Sequence, residues 1–164
     1  MKEVFVQLEK CLGCRSCQLA CAVAHSQSHT LFAAVSETPA PRYRLFIERG
    51  QGVNVPLTCR HCDPAPCLEA CIAGALYRDA RGTIQRREGA CVGCWTCLMV
   101  CPFGVVSREK ERKVAVKCDR CPDLDEPACV MACPTGALVY ADPDSFGAAR
   151  RREAAGVVSR AAGR

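Results

Sequence analysis

The sequence predicts an α+β fold made twice over from one cysteine-rich unit, with short helices and hairpins. Three observations carry this prediction. All sixteen cysteines of the 164 residues fall into four groups of four. The first and third groups repeat each other at an offset of 80 residues, Cys11 against Cys91, while the second and fourth share a longer internal gap. The intervals between groups are short and glycine-bearing, which reads as hairpins rather than long helices.

Taken in order, Met1–Gln7 (MKEVFVQ) alternates as a strand. The first group follows as Cys11-LG-Cys14-RS-Cys17-QLA-Cys21. Arg42–Glu48 and Val53–Thr58 flank the turn Arg49–Gly52 and predict a hairpin. The second group is Cys59-RH-Cys62-DPAP-Cys67-LEA-Cys71, and Ala75–Arg87 with its turn at Asp79–Gly82 predicts another hairpin. The third group, Cys91-VG-Cys94-WT-Cys97-LMV-Cys101, and the fourth, Cys118-DR-Cys121-PDLDEPA-Cys129-VMA-Cys133, are separated by the charged run Arg108–Lys117, read as a solvated face or a surface that steers a partner. The tail Asp142–Arg164 is rich in Ala and Arg, holds no cysteine, and predicts a short helix over Ser145–Ala155, as a docking arm if not disordered.

Hydrophobic residues make up 49% of the chain, but about 39% once cysteine is set aside, and aromatics only 5%. A domain this size with so little bulk needs another component to complete its interior. Disulfides are one way to supply it in secreted chains. However, Cys11 arrives before a signal-peptide apolar region fits, and no run approaches a membrane span, so the expected compartment is the reducing cytoplasm. Zinc accounts for Cys-x₂-Cys pairs, yet not for three cysteines within seven residues followed by a fourth after three more. Gaps of two, two and three residues are the bacterial run that wraps a 4Fe–4S cluster with three thiolates and lends the fourth to a neighbouring cluster. Sixteen ligands supply four such clusters. Their thiolates and iron cores bring the formal charge of +5 to about −3, which removes the case for nucleic-acid binding.

Groups two and three lie 20 positions apart, from Cys71 to Cys91, an interval the predicted hairpin fits, so these two can form a central unit and groups one and four then pair across the chain ends. The expected organisation is an outer unit of residues 1–51 plus 109–140, a central unit of 52–108 and a tail of 141–164, each unit a duplicate of the bacterial two-cluster ferredoxin fold.

At these motifs, Cys11-LGCRSCQLACAVAHS, Pro56-LTCRHCDPAPCLEAC, Cys91-VGCWTCLMVCPFG and Cys118-DRCPDLDEPACVMACPTGAL, the chain resembles the four-cluster iron–sulfur subunits of molybdenum and tungsten oxidoreductases, the DMSO reductase iron–sulfur subunit family. It is similar also to the small subunits of aldehyde oxidoreductase and carbon monoxide dehydrogenase complexes. The resemblance covers Met1 to about Tyr140. It implies four ligand sets: Cys11, Cys14, Cys17 with Cys133; Cys118, Cys121, Cys129 with Cys21; Cys59, Cys62, Cys67 with Cys101; and Cys91, Cys94, Cys97 with Cys71. It implies a non-catalytic subunit that relays single electrons from a tungsten or molybdenum catalytic subunit to a flavin-, quinone- or hydrogenase-linked one. Arg/Ala usage and length favour the tungsten aldehyde oxidoreductase association. A carrier between carbon monoxide dehydrogenase and hydrogenase, a free polyferredoxin, and self-association into longer relays stay open. Pro102 and Pro134 follow the last cysteine of groups three and four, while Ala22 and Ile72 stand there in the others and should loosen the local turn.

Among the remaining residues, Gly13 and Gly93 predict tight turns against the metal, with amides toward cluster sulfur. Trp95, Met99 and Phe103 read as apolar cover. His61 reads as a group beside the ligands or at the surface, and His25 and His29 as non-ligands, since the cysteines already suffice. There is no dinucleotide fingerprint, no phosphate-binding loop and no cysteine left for nucleophilic work.

Overall fold

A computed structural model describes residues 1–163. Its order is β1 (Glu3–Val6), α1 (Ser16–Ala24), α2 (Leu31–Val35), β2 (Phe46–Gly50), β3 (Val53–Leu57), α3 (Pro66–Glu69), β4 (Leu76–Arg78), β5 (Ile84–Arg86), α4 (Thr96–Met99), β6 (Ser107–Glu109), β7 (Val114–Val116), α5 (Ala128–Met131), β8 (Leu138–Ala141) and α6 (Pro143–Ala161). The strands form four antiparallel two-stranded sheets, β1–β8, β2–β3, β4–β5 and β6–β7.

The first sheet joins the chain ends, with Glu3 opposite Ala141 and Val6 opposite Leu138. Alternation places Val4 and Val6 on one face, where they pack with Leu45, Ile47 and Leu138 and with Cys17, Cys21 and Cys129. On α1, Cys17 and Cys21 are four residues apart and share the buried face, while Gln18 donates to the Leu45 carbonyl at 3.3 Å and ties the approach to β2 onto the helix. A second core gathers Ala65, Leu76, Ile84, Cys97, Val106 and Ala115 from the middle of the chain. The helices pair in the same sense, α1 against α5 and α3 against α4.

Each of the three short helices α3, α4 and α5 carries a cysteine, buried in α4 and α5 and half-buried in α3, so packing rather than length holds it. Pro66 opens α3 at its first turn, where the missing amide costs nothing. The β4–β5 connection is fastened by Asp79, whose Oδ1 accepts from the amides of Arg81 (2.9 Å) and Thr83 (2.8 Å).

Several expectations change. Residues 108–117 are solvated only in part: Arg108 and residues 110–113 are exposed, but two charged members are not. They fold into β6–β7 with Glu109 only 3% exposed, held by Arg112, and Lys117 only 5% exposed. The helix expected over Ser145–Ala155 runs from Pro143 to Ala161, begun by Asp142, which accepts from the Asp144 amide at 3.1 Å. It is anchored near its start, where Phe146 stacks on Phe5 with ring centres 4.2 Å apart and Arg150 reaches Glu9 at 2.8 Å. The limits at 51/52 and 108/109 fall inside the β2–β3 and β6–β7 hairpins, so neither hairpin divides there.

Candidate metal centres

The first three residues of every group make one loop, and its bend has a common cause. The residue just before the second cysteine is left-handed in all four groups: Gly13 (φ 71°), His61 (47°), Gly93 (68°) and Arg120 (60°). A left-handed residue within such a turn gathers successive backbone amides on one side, a concavity suited to negative charge. Glycine takes this conformation freely. At Gly93 it also matters sterically, because a Cβ there would stand 2.5 Å from the Lys113 carbonyl oxygen. At Gly13 the nearest atoms belong to the Asn54 side chain, at 2.8 Å, which can swing away.

Gly93→Ala is therefore expected to lower stability by about 1–3 kcal/mol and to impair metal loading of its loop, with Gly13→Ala the milder change. Denaturant unfolding of the loaded proteins, with iron content alongside, checks this ordering.

Groups two, three and four close in the same way. The amides of Gly74, Gly104 and Gly136 donate to the carbonyls of Cys71, Cys101 and Cys133, at 3.0, 3.2 and 3.3 Å. Ile72 thus makes the same turn as Pro102 and Pro134, contrary to the loosening expected from its lack of proline. Group one has no such glycine, and there the helix simply runs on to Ala24.

The loops bring cysteines of different groups together. One cavity is lined by Cys11, Cys14, Cys17 and Cys133, another by Cys59, Cys62, Cys67 and Cys101, and a third by Cys71, Cys91, Cys94 and Cys97. Around Cys129, the strongest thiol neighbours are Cys118, Cys21 and Cys121. None of the sixteen is in a disulfide. Burial pushes Cys17 and Cys97 up to about 11 and Cys118 up to about 12, and raises Cys129 as well. Such thiols stay protonated unless a cation compensates them, so four converging soft donors fit an iron–sulfur core and do not fit an empty polar site.

Other groups point at the cysteine sulfurs. Backbone amides of Arg44, Ala115 and Arg120 donate to Cys21, Cys91 and Cys118 at 3.3, 3.5 and 3.4 Å. Ser16 and Thr96 donate to Cys14 and Cys94, both at 3.5 Å, and these hydroxyls lower the two exposed thiols. The sequence carries a sign of this pair that residue-by-residue reading passes over: a hydroxyl residue immediately before the third cysteine in both repeats.

Asp119 knits the Cys21 helix to the fourth loop. It accepts from Arg44, from His25 Nε2 at 3.1 Å and from the Cys121 amide at 3.0 Å. Although burial opposes its charge, His25 and Arg44 hold its carboxyl well below the usual range. His25, Asp119 and Cys121 lie close enough to suggest a mononuclear metal site, but that carboxylate is already engaged by Arg44. In the second group, Arg78 fixes the loop by donating to the carbonyls of His61 (3.3 Å), Cys62 (2.6 Å) and Gly82 (3.0 Å). His61 is buried, and that burial, with the nearby Lys117 and Arg120 charges, pushes its pKa down to about 2. Trp95 stands at the Cys94 cavity as expected, whereas Met99 is 71% exposed and lines none of the three cysteine cavities, and Phe103 is partly exposed at the Cys59 cavity.

Comparison with known proteins follows the same lines. Residues 51–143 match the family model of a 4Fe-4S dicluster domain. An iron–sulfur protein of Rhodospirillum rubrum is 40% identical over 90% of this chain and 86% of its own. The electron transport protein HydN of Escherichia coli (strain K12) is 33% identical over 93% of this chain and 96% of its own. The thiosulfate reductase electron transfer subunit PhsB of Salmonella typhi is 36% identical over 80% of this chain and 71% of its own.

Proposed function

The chain belongs to the 4Fe-4S dicluster domain family, and from that premise we propose that it binds four 4Fe–4S clusters and relays single electrons within an oxidoreductase complex. At the coarser level it is an iron–sulfur electron-transfer protein that links a catalytic oxidoreductase to another redox partner, not itself an enzyme. The observation that carries the finer reading is the gathering of all sixteen cysteines into four sets of four, each set drawing its fourth member from another group.

The proposed ligands are Cys11, Cys14, Cys17 and Cys133; Cys21, Cys118, Cys121 and Cys129; Cys59, Cys62, Cys67 and Cys101; and Cys71, Cys91, Cys94 and Cys97. When bound, such clusters accept and return one electron at a time. The chain's own residues supply the rest. Burial and donors to sulfur set the potentials. Cys59 is the thiol whose charge bears most on Cys118, so the outer and central units meet at these two ligands. Cys14 and Cys94 are the exposed cysteines, which makes their sites the two ends open to partners. We draw the units by their cores, which places β2 and β3 with the chain ends and Ala115 of β7 with the centre.

The partners proposed are a molybdenum or tungsten catalytic subunit at one end and a flavin-, quinone- or hydrogenase-linked subunit at the other. No helix among the described residues is long and apolar enough to cross a membrane, and we place the complex in the cytoplasm. Anaerobic native purification tests this reading. Co-elution with a molybdenum or tungsten enzyme that reduces the clusters with its own substrate is expected. Isolation of a monomer that exchanges electrons equally with unrelated redox proteins would replace it with the free polyferredoxin.

A further inference from the structure

His61 stands directly before Cys62, at the left-handed position that glycine fills in groups one and three. A side chain with a Cβ is strained in this conformation. His61 is nevertheless only 5% exposed, and it is among the residues that line the cavity shared by Cys59, Cys62, Cys67 and Cys101. Its Nδ1 accepts a hydrogen bond from the Ile84 amide at 3.0 Å. An acceptor nitrogen carries no proton, so the ring proton lies on Nε2. That buried Nε2–H has no partner among the described residues, neither an oxygen nor a cysteine sulfur.

Two unfavourable features thus coincide at one residue, a strained backbone and a buried unpaired donor. Native proteins rarely leave such a group without a partner, and strain of this kind collects at functional positions. The cavity offers one kind of partner the chain itself does not provide, an inorganic sulfide.

We infer that the Nε2–H of His61 donates a hydrogen bond to an inorganic sulfide of the cluster in the Cys59, Cys62, Cys67 and Cys101 site, and thereby raises the reduction potential of that site alone. The inference rests on the reading that these four cysteines hold a cluster. Its direction follows from charge. One electron added to the cluster makes its sulfurs more negative, so the donor binds the reduced form more strongly. No proton moves in this step.

Lys117 provides a contrast at the same residue, Ile84. Its ammonium donates to the Ile84 carbonyl and to the Cys118 carbonyl, and its charge bears on both Cys67 and Cys118. A charge between two sites biases both, whereas a hydrogen bond inside one cavity biases one.

Redox-poised EPR of the loaded full chain tests the inference. In His61→Leu, one of the four clusters should show a reduced-to-oxidised ratio about tenfold lower at fixed potential, about 59 mV for one electron. The other three should keep their potentials. His61→Gln keeps an N–H at similar reach and should restore most of the shift. Independently, protein carrying ¹⁵N-histidine and His25→Gln, which removes the other histidine beside a ligand cysteine, should show a ¹⁵N coupling in the pulsed EPR of one reduced cluster. Unchanged potentials in fully loaded His61→Leu, or absence of that coupling, would overturn the inference; the coupling measurement decides if His61→Leu does not load. A failure of the underlying reading looks different: Cys59→Ser would then retain the full iron content of the unsubstituted protein.

Discussion

Removal of iron should unfold both cores together. Three of the six buried members of the outer core are cysteines, and the central core is ringed by Cys67, Cys71, Cys91 and Cys101 around buried Cys97. The largest fully buried side chains are only Ile84, Val105 and Thr83, so little hydrocarbon stands ready to fill space left by lost clusters. Stripped sites would leave cavities bordered by thiols, each enlarged by every cluster atom removed. The helices that carry the cysteines have only four residues in three of the four groups, too short to persist unpacked. The expected loss is the whole net stability of a domain this size, about 5–15 kcal/mol. Anaerobic chelation followed by circular dichroism and limited proteolysis reads it. Loss of the cooperative thermal transition and cleavage throughout residues 1–141 are expected. A chelated protein that keeps a sharp transition would show that side chains alone sustain the cores.

Cys21→Ser should remove the cluster assigned to group four and spare the one assigned to group one. Cys21 sits in the first motif, but α1 packs on α5, and Cys21 is among the strongest thiol neighbours of Cys129. The Arg44 amide and the Asp119 network hold it facing the fourth loop. A quarter of the iron should go, together with one EPR signal. The reciprocal change, Cys133→Ser, should affect the site of Cys11, Cys14 and Cys17, whose cavity Cys133 shares. Loss of the group-one cluster from Cys21→Ser would reject the crossed arrangement.

How much of this was legible in the sequence depends on how local each cause is. The cysteine spacings, the strand β1, the β2–β3 and β4–β5 hairpins and the expected meeting of groups one and four follow from periodicity, turn residues and the repeat. The misreadings share one origin, partners distant in sequence. Glu109 and Lys117 look solvated in a charged run, yet Arg112 and the Ile84 carbonyl allow them to be buried. Met99 looks like cover because it follows a ligand, but on a four-residue helix its position turns outward. Ile72 looks like a loosened turn, although the glycine two residues on, rather than proline, closes that loop. The helix α6 outruns its expected end because a run of Ala and Arg propagates once Asp142 and Phe146 fix its start. Asp119 and Arg78 gave no local sign, since each acts by gripping loops brought near it only in the fold.

The four-cluster assignment requires every one of the sixteen cysteines to serve as a ligand. Iron and acid-labile sulfide analysis of anaerobically purified, fully reconstituted protein tests it most directly. The prediction is sixteen irons and sixteen sulfides per chain, one set of four for each group of cysteines. A stable, fully loaded protein with twelve irons or fewer would contradict it.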